Sequence, residues 1–138
     1  MISNGYLLDT HVLFFLDADP EGLLPPPVLA TLSSPDSTLF VSSLTAWEMS
    51  IKFHAGKWPA VGPLLEDLLA TLLAYRCTDL AWQTNAALVA GALPPLHRDP
   101  FDRGLIGQAV VHGLELVSGD ALIHGYNDVV ADLRLRWE

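Results

Sequence analysis

The chain has 138 residues, 51% hydrophobic and only 17% charged, which excludes a disordered chain and provides apolar material for one packed core, expected to be a single domain over residues 1–138. Sixteen acidic residues against seven basic ones give a net charge of −9; this is the reverse of the basic surface that phosphate binding favours, and it suits a metal site, an acidic solvated surface or a basic partner. The lone Cys77 excludes an internal disulfide or a multi-cysteine metal site, and no apolar stretch approaches the roughly 20 residues of a membrane helix. Residues 1–5 lack the basic start and apolar run of a signal peptide, so a cytoplasmic location is expected.

Tyr6-Leu7-Leu8 reads as a first strand ending at Asp9, with a helix following through Leu16. Pro25-Pro26-Pro27 leads into a short helix, since proline is tolerated in a first turn. A second strand covers residues 38–41 and ends at Ser42-Ser43; a helix over 44–53 then carries Trp47, Glu48 and Lys52 and stops at His54-Ala55-Gly56. Leu64, Leu65, Leu68, Leu69, Leu72 and Leu73 predict one helix over 63–75 whose apolar face belongs to the core or to a dimer interface. A third strand over 77–80 and a helix over 81–90 follow. Asp99-Pro100 opens a helix that runs to His112 and ends at Gly113, with Gly104 and Gly107 unexplained inside it. The strand 114–117 ends at Ser118-Gly119-Asp120, and a short helix and a strand over 133–137 complete the chain. Strands alternating with helices predict an α/β fold with a parallel sheet and helices on both faces.

Asp9 and Asp120 each stand at the carboxyl end of an apolar strand, where open parallel sheets bind their ligands. Glu48 lies on the helix after the second strand, and Asp102 in the first turn of a later one. Four carboxylates in one crevice repel unless a cation neutralises them, and oxygen donors favour Mg²⁺ or Mn²⁺ over zinc. Such an ion binds phosphate oxygens and activates water for in-line attack. Each acid also has a purely structural role open to it. Asp9 and Asp120 can cap the helices that follow them, and Glu48 and Lys52 have the spacing of a surface ion pair. Asp99 precedes Pro100 as an N-cap would, and Asp102 complements the helix dipole. His11, His54, His97, His112 and His124 show no HxxxH or HxH spacing and read as solvated or capping residues. No nucleophile elbow and no glycine-rich phosphate loop is present.

Taken in order, YLLDTHVLFFL (6–16), VSSLTAWEMSIKFHAGKW (41–58), LHRDPFDRGLIGQA (96–109) and LELVSGDALIHGY (114–126) resemble the PIN-domain family, specifically the toxins of the VapC type. HRDPFDR beside SxxTxWExxIK carries most of the specificity. The resemblance implies a three-layer α/β/α sandwich around a parallel sheet and a ribonuclease that uses Mg²⁺ or Mn²⁺. It also implies a cognate antitoxin with a basic tail and a homodimer. Residue by residue, it gives catalytic and metal-binding roles to Asp9, Glu48, Asp102 and Asp120, and supporting roles to Asp99, Thr10, Ser42 and Ser118. Lys52, Lys57, Arg98 and Arg103 flank the acids and are the candidates for RNA backbone contacts, with ordinary ion pairing as their alternative. Ser118 stands where the family more often has threonine, and Gly104 and Gly107 where it has larger residues.

Two other readings compete. A haloacid-dehalogenase-type phosphatase also ends its first strand in aspartate, but needs a second acid two residues on; here the sequence is Asp9-Thr10-His11, and no lysine follows Lys57. A non-catalytic PIN-like module binding RNA or protein commonly lacks one or more of the acids, all of which are present here.

Overall fold

The apolar run at the start of the chain becomes the middle of a sheet. In the computed structural model, which describes residues 4–138, the strands β1 (Gly5–Leu8), β2 (Thr38–Ser42), β3 (Cys77–Leu80), β4 (Glu115–Val117) and β5 (Arg134–Arg136) form one sheet in the order β3-β2-β1-β4-β5. Every pairing is parallel, with Leu8 opposite Val41 on one side and Val117 on the other. A strand covered on both faces has no wet side, which is why β1 reads as unbroken Tyr-Leu-Leu and not as an alternation. The residues before Asn4, including most of the segment expected to lack a signal peptide, lie outside those described.

The helices are α1 (Thr10–Ala18), α2 (Pro20–Leu23), α3 (Pro26–Ser33), α4 (Ser43–His54), α5 (Gly62–Glu66), α6 (Leu68–Ala74), α7 (Thr84–Ala92), α8 (Pro100–His112) and α9 (Ala121–His124). Successive residues of β1 separate the two cores. Leu8, with Val41 and Val117, packs on Val12 and Leu13 of α1, Val28 of α3, Met49 of α4 and Leu64 and Leu72. Leu7, with Phe40 and Leu116, packs on Leu105 and Ile106 of α8 and on Ile123, Tyr126 and Leu133. The architecture is therefore the expected three-layer α/β/α sandwich. No helix of the described residues is long and apolar enough to cross a membrane.

Three segments differ from expectation. The leucine-rich helix is broken: Asp67 leaves helical geometry (φ −142°, ψ 46°) between α5 and α6, and a 3-10 turn (Pro59–Val61) precedes α5. Leu64 and Leu72 both reach the core, while Leu69 and Leu73 stay 77% and 80% exposed. The helix expected from residue 81 begins only at Thr84, because side chains of other elements hold the preceding backbone: Gln108 Nε2 donates to the Ala81 carbonyl, and the Ser43 hydroxyl accepts from the Trp82 amide. Finally, the short α2 arises where Asp19 caps a turn opened by Pro20, the same signal that Asp99-Pro100 supplies to α8.

The glycines of α8 mark its contacts. A Cβ at Gly107 would lie 2.5 Å from the Ala86 carbonyl oxygen of α7, and one at Gly104 would lie 2.4 Å from the Leu44 Cδ1 atom of α4. The first obstacle is backbone and cannot yield; the second is the tip of a flexible side chain. Gly107→Ala should therefore destabilise the protein by about 1–3 kcal/mol despite its better helix propensity. Gly104→Ala should fall within about 1 kcal/mol of wild type, because its propensity gain offsets a small shift of Leu44. Denaturant unfolding of the two variants side by side checks the order.

Candidate metal centre at the carboxyl edge of the sheet

The sheet order reverses at β1, where connections run to β2 and β3 on one side and β4 and β5 on the other. Ligand crevices in open parallel sheets form at such a switch point, beyond the strand ends. The Asp9 amide donates to the Val117 carbonyl at 3.0 Å, which makes β1 and β4 end level. Asp9 caps α1 with Oδ1, accepting from the Val12 amide at 2.8 Å. Asp120 caps α9 the same way, with Oδ1 accepting from the Leu122 amide at 2.8 Å. Capping and a site role are thus compatible, since each cap uses one carboxylate oxygen.

Glu48 is buried on α4 and held at both ends: Oε1 accepts from the Thr10 hydroxyl at 2.7 Å, and Oε2 pairs with the Lys52 ammonium at 2.6 Å. Thr45 lies beside Thr10, their hydroxyl oxygens 3.2 Å apart. Ser42 caps α4 through the Leu44 amide, and the buried Ser118 hydroxyl accepts from the Asp120 amide. Asp99 caps α8, its Oδ1 accepting from the amides of Phe101 and Asp102. That cap presents Asp102 from the first turn, with Oδ2 2.7 Å from His97 Nε2.

The same nitrogen lies 3.9 Å from Asp120 Oδ2, and His97, Asp102 and Asp120 offer ligand atoms all within 4.8 Å of one another. His97 is the residue that sequence spacing missed: it has no histidine partner at a motif interval, and its neighbours are acids brought from α8 and from the end of β4. Three other histidines have partners of their own: His11 stacks on Trp58, His54 bonds the Ser50 carbonyl, and His124 bonds the Ser118 carbonyl. The buried His112 Nε2 has no hydrogen-bond partner among the described residues.

Of the basic candidates, Lys52 is engaged with Glu48, while Lys57 and Arg98 are exposed. Arg103 has another occupation. Its guanidinium donates to the carbonyls of Ala90, Leu93, Pro94 and His97 and to the Tyr126 hydroxyl, at 3.0–3.3 Å, so it ties down the loop between α7 and α8. The sequence signal for that role was faint: a buried tyrosine and an arginine near a proline-rich loop.

The PIN domain matches this chain over residues 6–127. The chain belongs to the PIN-domain family. Among solved structures, the PIN domain described here is similar to VapBC2 from Rickettsia felis, solved bound to a DNA fragment from its promoter (15% identity, 97% of this chain and 99% of that one, TM-score 0.67). It is similar also to VapBC-1 from nontypeable Haemophilus influenzae (17% identity, 96% of each chain, TM-score 0.60) and to DNA-bound VapBC from Salmonella typhimurium (21% identity, 97% and 98%, TM-score 0.59). At these identities the likeness shows a shared fold. No curated protein matches the chain.

The electrostatics of this PIN domain fit a divalent cation. Burial pushes the Asp9 carboxyl up to about 6; the Ser118 and Val12 hydrogen bonds pull it down, and the charges of Asp120 and Glu48 raise it further. Burial also pushes Asp102 up to about 6, with His97 lowering it and Asp99, Glu48 and Asp9 raising it. The crevice thus disfavours its own charges, and a cation among the oxygen donors relieves that cost.

Both carboxyls hold their proton more tightly folded than unfolded, relative to an ordinary value of 3.8. Their contribution to stability is therefore full below about pH 4 and is lost as pH rises through about 6. With EDTA present, Asp102→Asn should melt above wild type at pH 7.5, by several degrees at about 3–6 °C per kcal/mol. The gap should shrink at pH 5, where the wild-type carboxyl regains its proton. Equal gaps at both pH values would show that repulsion and burial of the Asp102 charge do not govern the difference.

Proposed function

We propose that this protein is a metal-dependent endoribonuclease, the toxin of a toxin–antitoxin pair, which hydrolyses RNA phosphodiester bonds. The observation that carries the reading is the gathering of acids at the carboxyl edge of a PIN sheet: Asp9 feels the charges of Asp120 and Glu48, Asp102 those of Glu48 and Asp9, and His97 stands beside Asp102 and Asp120. Mg²⁺ or Mn²⁺ held there would supply Lewis-acid stabilisation of the charge that develops on the phosphoryl oxygens. Asp9, Asp102 and Asp120 are the holding residues. Glu48, fixed by Thr10 and Lys52, serves as a further ligand or as the base that orients the attacking water. Ser42 and Ser118 set the positions of α4 and Asp120 through backbone amides, and Asp99 does the same for Asp102.

We assign the contacts to the RNA backbone to Lys52, Lys57 and Arg98, of which the last two are exposed. Arg103 serves that contact by holding the loop that carries Arg98. With so few cations the non-specific affinity for RNA is low, which favours a structured target such as a loop. The solved relatives are VapBC assemblies; carried over to this chain, they support a cognate antitoxin, and the acidic crevice suits a basic tail on it. We assign a cytoplasmic location and a homodimer, for which the exposed Leu69 and Leu73 offer apolar surface.

Cleavage of total RNA with Mg²⁺, Mn²⁺ or EDTA tests the activity. Asp102→Asn should stay folded and lose cleavage, whereas Asp99→Ala should lose about 1 kcal/mol of stability with its cap and keep much activity. Cleavage by Asp102→Asn at the wild-type rate would remove Asp102 from the catalytic set, and absence of metal-dependent cleavage by the wild type would move the protein to the non-catalytic binding modules.

Expression of the chain alone should arrest growth, and Asp9→Asn, which removes a charge at nearly constant volume, should relieve the arrest. Equal toxicity of the two would separate the toxicity from the acid cluster.

A further inference from the structure

We propose that His97 is itself a ligand of the cation, making the centre a mixed nitrogen–oxygen site that holds Mn²⁺ ahead of Mg²⁺. This rests on the metal-dependent reading above and adds a donor that the four acids do not supply. An ion with bonds of about 2.1 Å sets adjacent octahedral ligand atoms about 3.0 Å apart and opposite ones about 4.2 Å apart. His97 Nε2 stands 2.7 Å from Asp102 Oδ2 and 3.9 Å from Asp120 Oδ2. One nitrogen therefore already faces two carboxylates from different elements at nearly the spacing a shared ion requires. A histidine that served only Asp102 would need no second carboxylate on the same nitrogen.

The loop holds the imidazole for this role. The His97 amide donates to the Tyr126 hydroxyl at 3.0 Å, and its carbonyl accepts from Arg103 at 3.2 Å. Tyr126 is fully buried and also donates to the Pro94 carbonyl at 2.7 Å. The main chain on both sides of the ring is therefore fixed, and the ring is only 12% exposed. Little ordering cost remains when the nitrogen takes up an ion. Mg²⁺ favours an all-oxygen shell with several waters, whereas Mn²⁺, although also an oxygen-seeking ion, is a transition metal that accepts an imidazole nitrogen more readily, so the nitrogen biases the choice between the two.

The test uses the full chain stripped with EDTA, titrated by calorimetry with MnCl₂ and separately with MgCl₂, as wild type and as His97→Gln. Loss of the nitrogen should weaken Mn²⁺ binding by about tenfold or more and Mg²⁺ binding by clearly less. Pulsed electron paramagnetic resonance of Mn²⁺ in the wild-type protein should show coupling to a directly bonded ¹⁴N nucleus, absent from the variant. Bound Mn²⁺ with no nitrogen coupling overturns the proposal while leaving the acid centre standing. So does tighter binding of both ions by His97→Gln, which would make the imidazole a competitor of the cation. Failure of the wild type to bind either ion overturns this proposal and the metal-dependent reading together. The resonance measurement needs no variant, so a folding defect in His97→Gln cannot decide the matter.

Discussion

The pairing of β1 with β4 determines what happens at the carboxyl edge of the sheet. Its terminal hydrogen bond, from the Asp9 amide to the Val117 carbonyl, brings both strands to an end at the same height. Ser118 then lies against the Asp9 carboxyl, and Asp120 follows two residues later as the cap of α9. On the opposite side, the pairing of Leu8 with Val41 starts α4 at the same edge and delivers Glu48 one turn in. A slip of one residue in either ladder would exchange the two faces of a strand and carry the acids apart, so the two cores that fix the register also fix the site. Packing around Leu7 and Leu8 is what tolerates the electrostatic cost next door.

Much of this was legible because short-range chemistry coincided with the long-range result. Asp9 and Asp120 follow apolar strands, Asp99-Pro100 is a helix start, and Gly113 takes the left-handed conformation that ends α8 (φ 65°). The parts that were not legible depend on contacts across the fold. Nothing near His97 in sequence says that Asp120 will arrive beside it, or that Arg103 and Tyr126 will fasten its loop. Gly107 is a clear defect in a helix until Ala86 of α7 is known to pass over it. The leucine periodicity of 63–75 fits a single helix as well as the observed pair, since both α5 and α6 keep helical spacing locally; the departure of Asp67 from helical geometry between them leaves no mark on that periodicity.

The acidic total also reads differently once its partners are known. Of seven basic side chains, Lys52 pairs with Glu48, Arg136 with Glu115, Arg134 donates to the Gly113 carbonyl, and Arg103 is spent on loop carbonyls. Most of the positive charge therefore stabilises the fold. The surface that remains is acidic and repels polyanions at long range, which leaves attraction to exposed cations such as Lys57 and Arg98 and to the crevice where a metal ion would sit.

The sheet order has a consequence for how the molecule comes into being. β1 precedes every other strand of the sheet, yet its neighbour β4 is the fourth to be made, and His97, Asp102 and Asp120 all come after β3. No nascent fragment short of β4 can gather the acids, however well its early helices fold. Closing so long a loop is slow relative to forming local helices. The centre is thus chemically silent until β4 has joined β1, and its assembly is a late event in the folding of the sheet.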